Sequence, residues 1–258
     1  MRLGDGKNQG SMPETFILVR LLNALFLGLE AHAFQSIGLD PAKAAEKATG
    51  LNQAFALELL IAAGLIAFFL LVRATLSVER ANPAQHIAEM IHEFIGGQAE
   101  QVIGHGYERF QAYVTCIFLF VLLNNLSGLI PGITAPTTSI MVTLGLAVPT
   151  FLYYNFYGVR EQGVIGYIKH FCGPIWWMAP LLLPIEIVSH LARVMSLSVR
   201  LYANMFAGDL VTLVFFSLIP IGIPIIFLGL HLFVSLIQAF VFMLLTMIYL
   251  SLAVAHEH

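Results

Sequence analysis

Charge is scarce in this sequence. Of 258 residues, only 10% are Asp, Glu, Lys or Arg, while 59% are apolar. A soluble domain carries about 25% charged residues, and so few charges cannot cover a water-facing surface. The mean hydropathy of +0.85 agrees. An ordinary soluble globule is therefore excluded, and so is extensive disorder. Basic excess is lacking too: the net charge is -3, which excludes a nucleic-acid partner. There are two cysteines, Cys116 and Cys172, with no Cys-x-x-Cys pair, so they read as buried free thiols rather than a disulfide framework or redox centre. The G-x-x-x-x-G-K-[ST], G-x-G-x-x-G and H-E-x-x-H patterns are all missing. His86, His92 and His105 are too dispersed for a metal site, and His256-Glu257-His258 reads as a solvated tail. No metal or cofactor is expected. The opening MRLGDGKNQGS is polar and glycine-rich, unlike a cleavable signal.

What is present is long apolar segments. Residues 1–110 hold 19 of the 27 charged residues, and stretches 110–159 and 210–256 hold none past Arg109 and before Glu257. A helical span takes roughly 20 apolar residues. Segments 54–72, 111–130 and 138–157 qualify, with Pro131-Gly132 ending the second and Pro149 expected to kink the third. Two longer segments follow, 180–218 and 222–253, bounded or kinked by Pro180, Pro184, Pro220 and Pro224. Each would run to roughly 50 Å or more, which demands steep tilt or a break in a hydrocarbon core of about 30 Å. The fold class is thus an all-α integral membrane protein with about five crossings. Residues 1–50 read as a leader with an interfacial helix at 14–29, and 51–258 as the membrane domain. Segment 83–109 places Ile87, Met90, Ile91 and Phe94 at helical spacing between Glu89, Glu93, Glu100 and Glu108. It reads as an amphipathic surface helix, or two broken at Gly96-Gly97. Arg73, Arg80, Arg109, Arg160 and Lys169 fall in two connections, while the turns 131–137 and 219–223 carry no charge. The positive-inside rule then puts the N-terminus outside and the C-terminus inside, against the contrary pull of Lys43 and Lys47.

Ionisable groups inside a span are costly, and they point to function. The fourth segment holds Glu186, His190, Arg193, Arg200, Asn204 and Asp209. Residues 186, 190, 193, 200 and 204 are spaced by three, four or seven and share a face, with Leu197 interrupting the polar track and Gly208 on it. Asp209 lies nine residues past Arg200, about 180° round the helix. The fifth segment adds His231, Ser235, Gln238 and Tyr249. Because PIGIP joins the two segments tightly, they run antiparallel. Asp209 and His231 then fall at similar depth in the outer half, and Arg200 and Gln238 nearer the middle. Each group has a structural reading beside the functional one. Glu186, His190 and Arg193 could form a salt-bridge cluster, Asp209 and His231 a satisfied buried pair, and Gln238 a helix tie. Asn124 and Asn125 read as helix-packing residues. Arg200 resists such a reading, since it has no acid within four positions and cannot shed its charge. A proton path fits the whole set: Asp209 and His231 at an outer access, Glu186, His190 and Arg193 at an inner one, and Arg200 between them as a barrier. No continuous row of carboxylates passes Arg200, so the proton carrier belongs to another chain.

SLSVRLYANMFAGDLV (196–211) and LIQAFVFMLLTMIYLSLA (236–253) closely resemble subunit a of the bacterial rotary ATP synthase membrane sector, and the likeness extends through NNLSGLIPG (124–132) and PIEIVSHLARVMSLSVRL (184–201). It covers roughly 200 residues, from the first span onward, and is only loose over the first 50. The resemblance implies that Arg200 faces the essential carboxylate of a rotating c-ring. It implies that Asn204, Asp209, His231 and Gln238 lie along or beside an outer half-channel and Glu186 on the inner exit path. It further implies two long tilted helices curved against the ring, a peripheral stalk (subunit b) that prevents co-rotation, for which 83–109 offers a docking surface, and a bacterial inner membrane. ATP chemistry would fall to the remaining subunits. Tyr202 and Ala203 replace the phenylalanine and glycine common in the family, and Asp209 stands where Glu is usual. Asp209 with His231 is the bacterial arrangement; mitochondrial relatives exchange the two.

Two other classes fit a polytopic chain. A self-contained secondary transporter would show internal repeats and a midplane site, but the 184–211 pattern has no second copy. A structural membrane scaffold would tolerate replacement of Arg200.

Overall fold

The computed structural model describes residues 53–77, 82–130, 133–172, 179–218 and 222–254. The expected interfacial helix at 14–29 lies outside them. The described residues form six α-helices: α1 (Gln53–Ala74), α2 (Pro83–Ile103), α3 (Glu108–Ser127), α4 (Ile140–Cys172), α5 (Ala179–Leu218) and α6 (Ile223–Val254), with one 3-10 turn at Pro136–Thr138 before α4. All but α2 are long and apolar enough to cross a membrane. The protein is a multi-pass integral membrane helical bundle.

The reason for helices is the solvent. A bilayer core offers no hydrogen-bond partners, so a spanning segment must satisfy its own backbone. The same solvent explains the surface. Leu213 and Ile226 are 71% and 72% exposed, and much of α5 and α6 is equally apolar outside. In water such a surface would aggregate; facing lipid it is at home. At 1.5 Å per residue, α5 is about 60 Å long and α6 about 48 Å, so both must cross a bilayer obliquely.

Helix association in lipid rests on close packing and on hydrogen bonds between helices. Both are present. One core joins Ile117 and Val121 of α3, Leu146 of α4, Leu201 and Met205 of α5 and Phe242 of α6. A second joins Ile95 and Ala99 of α2, Phe110 and Val114 of α3, Tyr154 of α4 and Met247 and Leu250 of α6. Hydroxyls stitch α4 to α5 through Thr143 and Ser198, 3.0 Å apart. Asn125 ties three elements together: its Nδ2 donates to the Ser235 carbonyl of α6 at 3.5 Å, and its Oδ1 accepts from Thr137 of the 3-10 turn at 2.9 Å. Asn125 and Thr137 are both fully buried. Replacing Thr137 by Val keeps the shape but orphans that oxygen, at a cost of about 1–3 kcal/mol. Thermal unfolding of the purified complex should show a midpoint lowered by several degrees; an unchanged midpoint would mean the bond contributes nothing.

The structure decides three local points. First, α2 runs unbroken through Gly96-Gly97, because Ile95 and Ala99 on either side are fully buried against the second core. Tertiary packing here outweighs the low helix propensity of glycine. The surface helix stops at Ile103, not 109. Gly104 and Gly106 take φ of 79° and 84°, and Glu108 and Arg109 open α3. Second, the third span runs Ile140–Gly163 rather than 138–157, and helix resumes beyond Gly163 to Cys172. Third, Pro149 lies within continuous helical assignment, and a break that the sequence did not announce falls at Gly163, with φ 73° and ψ 158°. A bundle re-satisfies a proline's freed carbonyl, whereas a left-handed φ ends regular α-helix outright. An Arg109–Glu161 ion pair at 2.6 Å closes this end of the bundle. Both side chains retain solvent access, so it contributes under about 1 kcal/mol.

Candidate functional site

The site is organised by α5. Leu197, Leu201 and Met205 are at most 2% exposed and form the stripe that α5 presents to α3, α4 and α6. Arg200 lies on one flank of that stripe and Asp209 on the other, about 180° apart at 100° per residue. The shared polar face therefore divides. His190, at the start of α5, is buried, while Arg200 is exposed on the outside of the bundle.

At the Asp209 end, α5 and α6 meet at polar groups. Asp209 Oδ1 stands 3.6 Å from His231 Nδ1, with the side chains 18% and 2% exposed. The Ala135 backbone is hydrogen-bonded to the same carboxylate. Gly208 makes the approach possible: a Cβ there would sit 3.1 Å from the His231 ring. Five residues toward Arg200, Asn204 Nδ2 donates to Gln238 Oε1 at 2.7 Å. Gln238 was expected at the depth of Arg200; its observed partner is Asn204, one turn further along α5. A cavity of about 410 Å³ lies beside Asp209, walled by Gly128, Ile133, Thr134, Thr212 and Leu228 among others. Asp209 Oδ2, His231 Nε2 and Gln238 Nε2 are buried with no hydrogen-bond partner among the described residues. Buried polar atoms of this kind are ordinarily satisfied by water.

At the other end, Glu186 Oε1 stands 3.4 Å from His190 Nε2, one turn apart on α5. The second ring nitrogen of His190, Nδ1, is 3.3 Å from the Tyr154 hydroxyl of α4. Arg193 turns away to stack over the Tyr249 ring of α6, 5.5 Å from its centroid. His190 and Asp209 are nineteen residues apart on α5, or about 28 Å. Arg200 lies midway. Its NH2 group reaches Ser196 Oγ at 3.5 Å, and among the described residues no carboxylate pairs with it. Nor do the described residues bring together three or more His, Cys, Asp or Glu side chains able to hold a metal.

The protein-family model described as ATP synthase A chain matches residues 56–251. The chain is 53% identical to ATP synthase subunit a of Koribacter versatilis over 203 residues, which is 79% of this chain and 83% of the relative. It is 46% identical to ATP synthase subunit a of Solibacter usitatus over 202 residues, 78% of this chain and 87% of the relative. Against ATP synthase subunit a of Bdellovibrio bacteriovorus it is 47% identical over 173 residues, 67% and 75% of the two chains. The chain belongs to the ATP synthase subunit a family.

All seven residues singled out from the sequence, Glu186, His190, Arg200, Asn204, Asp209, His231 and Gln238, lie inside the matched region. Subunit a residues that sequence reasoning passed over also stand at the site. Tyr154 touches His190, and Ala135 touches Asp209. Tyr154 sits in an apolar run beside Tyr153, and nothing in its spacing separates it from a packing tyrosine. Ala135 contributes only backbone, which no side-chain pattern reveals.

Proposed function

We propose that the chain is the proton-translocating stator subunit of a bacterial rotary ATP synthase, with two offset half-channels that deliver protons to, and collect them from, a carboxylate on a c-ring. Family membership supports the general translocating role. The observation that carries the finer reading is the division of polar groups along α5. Asp209, His231, Asn204 and Gln238 cluster at one end, Glu186, His190 and Tyr154 at the other, and Arg200 lies exposed between them.

A proton moves along groups that can accept and release it in series. Each cluster can do so over a few ångströms, but neither reaches across the middle of the bundle. A fixed guanidinium at the gap repels a proton seeking to pass directly and favours an ionised carboxylate brought against it. Because Arg200 faces outward, that carboxylate comes from a neighbour. The ring is the partner on this side, subunit b of the peripheral stalk holds the chain against rotation, and the remaining subunits carry the ATP chemistry. The Asp209 end opens outward and the Glu186 end to the cytoplasm of a bacterial inner membrane, with the N-terminus outside and the C-terminus inside.

Accessibility tests this arrangement. In a Cys116→Ser, Cys172→Ser background, a membrane-impermeant thiol reagent should label Thr212→Cys from the outer face only. His190→Cys should label, however slowly, from the cytoplasmic face only. Labelling of both positions from the same face would rule out two offset half-channels.

A further inference from the structure

Tyr167 lies beyond the spanning part of α4, which ends at Gly163. At Gly163 the backbone takes φ 73° and ψ 158°, a conformation that turns the chain and that side chains other than glycine's adopt only with strain. The segment that follows doubles back on its own helix. Tyr167 OH donates to Asn155 Oδ1 at 2.6 Å, twelve residues earlier in sequence. Its ring lies on Gly158: a Cβ built there would be 2.8 Å from Tyr167 Cε2 and 3.3 Å from Ala253 of α6. Space for the ring exists only because position 158 has no side chain. One turn beyond Gly158, Gln162 Nε2 donates to the Ala253 carbonyl at 3.1 Å, fixing the turn before Gly163 to the end of α6.

The depth of this ring is what matters. Tyr154 touches His190. One turn along α4 from Tyr154 is Gly158, and one turn back along α5 from His190 is Glu186. Since α4 and α5 run in opposite directions, both steps lead the same way, out of the bundle. The Tyr167 ring thus stands at the level of Glu186, outside the Tyr154–His190 contact. Its electrostatics agree. Burial pushes the phenol above its usual value, nearby Arg193 pulls it back, and nearby Glu186 pushes it up again. The phenol therefore remains a neutral hydrogen-bond donor.

We propose that Tyr167 is a positioning residue that lids the cytoplasmic mouth of the Glu186–His190–Tyr154 path, held closed by its bond to Asn155 and its seat on Gly158. The proposal rests on the half-channel reading above and adds what controls access to it. Opening exchanges the bond to Asn155 for water as the Tyr167 side chain leaves its seat on Gly158. A lid of this kind restricts access to His190, whose side chain is 11% exposed against 34% for Glu186, while leaving the proton a route past the phenol.

The test uses the assembled complex in inverted vesicles, in the Cys116→Ser, Cys172→Ser background with His190→Cys as reporter. Three changes are compared: Tyr167→Ala removes the lid, Tyr167→Phe removes only its bond to Asn155, and Gly158→Ala unseats the ring while leaving its hydroxyl. Labelling from the cytoplasmic face should speed up about tenfold with Tyr167→Ala and less with the other two, as for a thiol freed by local opening. A Thr212→Cys reporter read from the outer face should be unaffected. Equal His190→Cys rates in all four proteins would overturn the lid and leave the half-channels standing. Matching acceleration at Thr212→Cys would mean general loosening, and would also overturn it. Failure of His190→Cys to label from the cytoplasmic face even with Tyr167→Ala would sink the half-channel reading itself.

Discussion

Replacing Arg200 with Ala should abolish proton pumping while leaving the complex assembled. Arg200 contributes little to the fold of its own chain: it is exposed, and among the described residues its guanidinium approaches Ser196 Oγ at 3.5 Å. An arginine at mid-membrane costs about 2.5–3.5 kcal/mol on an insertion scale, so a smaller apolar side chain relieves a penalty. Nothing about packing predicts a loss. The proposed role predicts a large one. Removing a preorganised charge from a site where charge must be stabilised typically costs about 10²–10³ in rate. ATP-driven acidification of inverted vesicles should therefore fall at least about a hundredfold. Arg200→Lys should recover little, because lysine can release its proton in a low dielectric and has no planar fork. Assembly would be checked on the same membranes. Pumping retained by the Lys, Gln and Ala variants alike would remove Arg200 as the barrier and favour a scaffold role.

The second large effect concerns Asp209 and His231. Asp209 Oδ1 and His231 Nδ1 are 3.6 Å apart with little of either side chain exposed, and each residue keeps a second buried atom without a partner among the described residues, Asp209 Oδ2 and His231 Nε2. If protons pass between them, Asp209→Asn, which preserves shape, and His231→Gln should each slow ATP-driven pumping by about tenfold or more. The double variant should be little worse than the poorer single one, because residues acting as a unit are strongly non-additive. Fully multiplicative losses would show two independent residues and would break the outer path at this point. Near-normal pumping in all three variants would make the contact a packing feature.

Arg200 and Asp209 show how far sequence reaches. A nine-residue offset on a helix puts them on opposite sides whatever surrounds them, since 100° per residue is a property of the backbone. The charge-poor composition likewise requires a membrane, and the lengths of the apolar runs give five candidate crossings among the described residues. The 3.6-residue pattern could not say which part of the polar face would be buried. That depended on Leu197, Leu201 and Met205 packing against three other helices, which pulled His190 inward and left Arg200 outside.

The pairing of α5 with α6 was legible in outline, because a short turn forces antiparallel packing. Its register was legible to about one turn, since Asp209 and His231 meet where counting from the turn puts them. A shift of one helical turn separates the expected Arg200–Gln238 neighbourhood from the observed Asn204–Gln238 hydrogen bond. Counting residues from a turn gives depth only to about that accuracy, since the turn's own geometry and the tilt of both helices enter the sum.

What the sequence determined by itself was the solvent, the number of crossings, and the chemistry on offer: which side chains can hold a proton and which one cannot lose its charge. These follow from composition and from helical periodicity, both local properties. Only the tertiary structure decided who meets whom. The Tyr154–His190 contact, the Ala135 backbone at Asp209, and the fold-back that sets Tyr167 on Gly158 each join residues whose separation in sequence carries no signal. Such contacts arise from the packing of whole helices, where a missing methyl at Gly158 or a positive φ at Gly163 determines where a ring can go.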